Sequence, residues 1–152
     1  MGVLFNVVKL LHILFVITAV GSNITYGIWQ GIAGSDVERG RFVLRGIKFI
    51  DDRVANPAYI LVLITGLVMA GWHYSYSTRW IIAAIILFVI VLLLGLAVYS
   101  PALVRQIEVL DREGNQTPSY RRANLRATLV GIAIFIPILA ILFLMINKPS
   151  LG

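Results

Sequence analysis

Two histidines occur in the chain, His12 and His73, and neutral imidazole is the side chain best suited to ligate heme iron or a transition metal. His12 lies inside the apolar stretch Val3–Ile28, VLFNVVKLLHILFVITAVGSNITYGI, close to Lys9 and on the same stretch as Asn23. About 20 mostly apolar residues suffice to cross a bilayer, so this stretch is long enough to span. Polar groups in hydrocarbon are costly unless they face protein, water or a ligand. Two readings of His12 follow: an axial or metal ligand, or a neutral histidine hydrogen-bonded inside a helix bundle. Lys9, one helical turn away, could balance a heme propionate, a lipid phosphate or a quinone-site group, or it could snorkel to headgroups. His73 stands beside Trp72, Tyr74 and Tyr76, where an interfacial aromatic belt is the simplest account. As a second metal ligand it would have to reach His12 across a depth difference of roughly 10 Å.

The composition says what must position these residues. Of the 152 residues 59% are apolar and only 13% charged, with a mean hydropathy of +0.91. Soluble domains carry about 25% charged residues, so the chain reads as an integral membrane protein. Its length fits one bundle of four spanning helices over residues 1–152, with no separate catalytic domain. The formal charge of +6 comes from Lys and Arg that flank apolar spans, which excludes a nucleic-acid reading. The absence of cysteine excludes disulfides, thiolate ligands, covalently attached heme and iron–sulfur clusters. No positive cluster precedes the first apolar run, so that run is expected to be retained as a helix and not cleaved as a signal.

Four spans are expected, at about 3–28, 57–73, 80–100 and 127–146. In the first, His12, Ala19, Asn23 and Tyr26 share one helical face, which should point into the bundle. Gly27 and Gly31 lie near its end and allow close helix contact there. Residues 31–56 form a long connection in which Val43, Ile47, Ile50 and Val54 alternate with Arg41, Arg45, Lys48 and Asp52, the pattern of an amphipathic helix at the headgroup layer. Asp51 and Asp52 should face solvent near Lys48 and Arg53. Asn56-Pro57 predicts a helix start. Gly66 and Ala70 make a small-xxx-small pair in the second span.

The third span is nearly all aliphatic, a packing element that ends at Pro101, after which Leu103, Val104, Ile107 and Leu110 could continue as a surface helix. Gly114, Asn115 and Pro118 signal a loop, and Pro137 should kink the last span. Both long connections are rich in Lys and Arg while the middle turn has only Arg79. The positive-inside rule therefore places those connections in the cytoplasm and both termini outside.

The segments VVKLLHILFVITAVGSNITYG, NPAYILVLITGLVMAG and RRANLRATLVGIAIF, followed by Lys148-Pro149, resemble a group of small bacterial membrane proteins. That group comprises four-helix proteins of unknown function, copper-resistance D-type proteins and the four-helix protoporphyrinogen oxidases. In the oxidase branch a first-helix histidine is associated with heme, and the matching residue here is His12. Arg122 and Asn124 resemble an arginine and asparagine near the start of that branch's last helix. The first connection and middle turn do not reproduce the oxidase pattern, so the resemblance implies heme binding and not the enzymatic activity.

The sequence thus predicts an all-α, four-helix membrane bundle of the bacterial inner membrane with a cytoplasmic amphipathic connecting helix. A heme b or other redox-cofactor site is expected near the outer side of the first helix, built on His12 and Lys9, with His73 as a further metal-ligand candidate and electron transfer as its use. Membrane lipid is the expected neighbour, with a homo-oligomer or a membrane-complex partner as further candidates. The alternatives are a non-enzymatic scaffold or subunit and a small-solute or metal transporter. The transporter reading lacks a buried acid within the spans.

Overall fold

The computed structural model describes residues 2–73 and 75–148, so Tyr74 of the aromatic cluster and Pro149 of the last quoted segment lie outside the described residues. The helices are α1 (Gly2–Ala33), α2 (Val37–Ile50), α3 (Asn56–His73), α4 (Arg79–Leu93), α5 (Ser100–Glu113) and α6 (Pro118–Asn147). Wide π turns at Asp51–Ala55 and Leu94–Tyr99 join α2 to α3 and α4 to α5 without a break. Four continuous rods result, Gly2–Ala33, Val37–His73, Arg79–Glu113 and Pro118–Asn147, each long and apolar enough to cross a membrane. The molecule is an all-α four-helix bundle of a multi-pass membrane protein, with no strand among the described residues.

Pro57 and Pro101 do not bound helices as the sequence reading expected. Each follows a π turn, and in each the helix runs on through the proline. Proline lacks the amide that an α-helix needs at that position and crowds the carbonyl four residues back. The wide turn relieves this conflict by shifting the hydrogen bonds one residue: the Asn56 amide donates to the Asp51 carbonyl and the Ser100 amide to the Gly95 carbonyl. The long connections shrink accordingly to the short stretches 34–36 and 114–117. Asp36 caps α2 by accepting from the Arg39 amide at 2.9 Å, and Thr117 caps α6 by accepting from the Tyr120 amide at 3.2 Å.

The amphipathic α2 continues into α3 through the π turn, and its apolar face packs on α5 and α1, burying Val43, Leu44 and Ile47. The facing side of α5 buries Leu103 and Leu110. Each such aliphatic side chain contributes about 1.5–3 kcal/mol when removed from water. Arg41 and Arg45 of α2 both pair with Asp111 of α5 at 3.0 Å, which fixes the register of the two rods. We call this the basic end, and the opposite end, near Gly2, His73, Arg79 and Lys148, the terminal end.

Toward the terminal end the packing loosens. α1 packs on α3 and α6 on α4, but α3 and α4 touch sparsely and α1 and α6 form no packed pair among the described residues. Two helix pairs, held together at the basic end by α2 and α5, therefore leave space between them. The small side chains of Ala19, Gly66, Ala70 and Ala84 face that space and keep it unfilled. Between α3 and α4, Tyr76 folds back and donates its hydroxyl to the Leu67 carbonyl at 2.9 Å.

Candidate functional site

The expected inward face of α1 is the one that packs. Ala19 and Tyr26 are buried, the Asn23 amide donates to the Tyr59 hydroxyl of α3, and His12 meets Thr65. Gly27 and Gly31 depart from the expectation of close helix contact, because a Cβ built on either meets nothing within 4 Å.

His12 Nδ1 lies 2.8 Å from Thr65 Oγ1. A threonine hydroxyl has one proton, and the Leu61 carbonyl at 2.6 Å is the nearest of its acceptors, ahead of the Val62 carbonyl at 3.2 Å. With the proton on that shortest contact Thr65 accepts from His12, which puts the proton of the neutral ring on Nδ1. The Val62 carbonyl is a further partner within reach of the ring, and Nε2, with its lone pair, makes no hydrogen bond of 3.5 Å or less among the described residues. This is the arrangement that orients a ligating histidine, in which one ring nitrogen is anchored and the other presented. Gly66 makes room for the ring: a Cβ there would stand 3.2 Å from His12 Cε1.

The imidazole borders a cavity of about 600 Å³ between α1, α3, α4 and α6. Its walls are mostly apolar, with Ile13, Val16, Phe88 and Leu142 among them, and Lys9, Tyr59, His73 and Lys148 join His12 as its titratable lining residues. Pockets of 300–1,000 Å³ with apolar walls and few polar groups are the usual form of cofactor sites. The structure thus brings Lys9, His12 and His73 to one cavity without making them one ligand set. His73 stacks on Phe5 with ring centroids 4.9 Å apart, at the far end of α3. Thr65, which holds His12, precedes it by more than two turns, roughly 12 Å along the helix. No cluster of three or more metal-ligating His, Cys, Asp or Glu exists among the described residues.

A second group of polar residues, which the sequence reading missed, lies where the rods pass to the basic end. Asp51 is not solvent-facing but only 4% exposed, whereas its neighbour Asp52 is exposed and pairs with Lys48. Asp51 lies within electrostatic range of the phenols of Tyr26, Tyr59 and Tyr99 and accepts from the Asn56 amide at 3.4 Å. Its position four residues after the buried Ile47 and four before the buried Ala55 was the available signal.

Residues 6–149 match the model of a family described as "Predicted integral membrane protein (DUF2269)". The chain belongs to that family. The match takes in His12, the Asp51 cluster and all four rods but for the first residues of α1, and it accords with the membrane bundle built above. It does not extend to a specific copper-resistance or heme-linked family. No curated protein and no solved structure matches the chain.

Proposed function

We propose that the cavity at the terminal end holds heme b or a comparable hydrophobic redox cofactor, with His12 as its axial ligand through Nε2. The observation that carries this reading is the anchored imidazole: Thr65 takes Nδ1, Gly66 clears the ring, and the remaining lone pair borders an apolar cavity. The donor set fits heme iron, for which a single histidine from the protein is a sufficient proximal ligand. Lys9 and Lys148 line the same cavity, with the charge that carboxylate side arms of a macrocycle would require. His73 stands too far along α3 to share an iron with His12 and is read as part of the cavity rim. A bound heme would supply one-electron transfer, while the protein's part is to hold, orient and exclude water.

The same reading places the basic end in the cytoplasm of a bacterial inner-membrane protein and both termini outside. It is supported by the distribution of Lys and Arg, all of which lie toward the basic end except Lys9, Arg79 and Lys148. The test is an optical and mass-spectrometric inventory of cofactors retained by protein made with ample heme and purified in native lipid. One heme per chain with a Soret band is expected. A preparation without Soret absorbance, and without any other retained redox group, would overturn the proposal.

A further inference from the structure

A second cavity of about 610 Å³ opens at the basic end between α1 and α6, with Tyr26, Gln30, Tyr99, Tyr120 and Asn124 in its wall. We propose that it binds the head of a lipophilic quinone, a neutral ring bearing carbonyl acceptors on an apolar tail. Three observations carry this.

The first is the hydrogen-bond inventory of the wall. The Tyr26 hydroxyl is buried, on a residue 3% exposed, and has no partner among the described residues. A phenol left so is costly unless something accepts from it. Gln106, fully buried on α5, spends its amide protons on Asn124 Oδ1 at 2.9 Å and on Gln30 Oε1 and the Tyr120 hydroxyl at 3.4 Å. The amide oxygens of Asn124 and Gln30 are thereby engaged, and their NH2 groups donate to no acceptor among the described residues. The wall offers donors from both α1 and α6.

The second observation is charge. No Lys or Arg lines the cavity and its one ionisable acid is Asp36. A phosphate headgroup would meet no counter-charge there, whereas a neutral carbonyl requires only donors. The third is shape. Gly27 and Gly31 on α1 and Gly131 on α6 strip side chains from the two walls, and a Cβ at Gly27 or Gly31 would meet nothing within 4 Å. Ile24, Ile132 and Phe135 continue the groove with an apolar lining for a tail. The groove lies between two helices that form no packed pair, so such a molecule can enter from the side.

This site is separate from the His12 cavity and does not depend on a cofactor there. The test uses the full chain in phosphatidylcholine nanodiscs free of quinone, with an azido-ubiquinone photolabel and decylubiquinone as competitor. Saturable labelling of peptides from residues 22–34 or 120–135, displaced by decylubiquinone, is expected. Gly27→Leu, which adds bulk where there is open space, should weaken competition tenfold or more with the fold intact by circular dichroism. Tyr26→Phe should weaken it roughly threefold to tenfold, the worth of one hydrogen bond. His12→Ala should leave it unchanged. Labelling that does not saturate, that is displaced by short-chain phosphatidylglycerol and not by decylubiquinone, that persists unchanged in Gly27→Leu, or that falls with His12→Ala would overturn the proposal.

Discussion

Replacing Thr65 with valine tests the step on which the His12 assignment rests. Thr65→Val keeps the shape of the side chain and removes the oxygen that lies 2.8 Å from His12 Nδ1. The net loss for one hydrogen bond is about 0.5–1.5 kcal/mol, and a fully orphaned buried donor would cost about 1–3 kcal/mol. His12 is half-buried and can move its proton to Nε2, so the lower range applies. The larger effect is on ring chemistry. Without Thr65 the ring is free to rotate and to exchange tautomers, and removal of such an orienting partner typically lowers ligand affinity about 10–100-fold. Nitrogen NMR of histidine-labelled protein in nanodiscs reads the tautomer directly. In the cofactor-free native chain Nδ1 should be protonated and Nε2 bare, and in Thr65→Val this preference should collapse while the helix content stays constant. A native His12 with a bare Nδ1, or a tautomer indifferent to Thr65→Val, would show that Thr65 does not anchor the ring.

Gly66→Ala should separate stability from ligand placement. Helix preference favours the substitution by up to about 1 kcal/mol, while the new Cβ stands 3.2 Å from His12 Cε1 and moves the ring by a few tenths of an ångström. Unfolding should therefore change little and His12 chemical shifts should change clearly, with heme affinity lowered about tenfold. Leu103→Ala, at a fully buried position between the rods, should cost about 2–5 kcal/mol in denaturant titrations in detergent.

The membrane class, the four spans and the inward face of α1 could be read from the sequence, because apolar length and helical period are local properties. Ala19, Asn23 and Tyr26 fell on the packed face for that reason. What failed was long-range or depended on an exception to a local rule. Thr65 carries no sign of its partner, since His12 lies on another rod and only the packing of α1 on α3 joins them. Pro57 and Pro101 read as boundaries because the usual rule assumes α-helical hydrogen bonds, and the π turns at Asp51–Ala55 and Leu94–Tyr99 change that register.

The period of the segment around Arg41–Val54 shows an apolar face but not what covers it; the cover is α5, with Leu103 and Leu110 buried on a stretch whose sequence reads as a second surface helix. Asp51 was missed by treating it with Asp52 as an exposed pair, although adjacent helical positions point in different directions. In this bundle one of them is buried beside tyrosines and the other pairs with Lys48.

If Nε2 of His12 is the ligand-binding atom of the cavity at the terminal end, heme uptake must depend on it. Heme titration of cofactor-free native protein and His12→Ala, each in nanodiscs and each repeated with added imidazole, reads this dependence. The native chain should take up one heme with a sharp Soret shift, His12→Ala should lose the shift, and imidazole should restore it by occupying the vacated space. An unaltered Soret spectrum and affinity in His12→Ala would contradict that dependence.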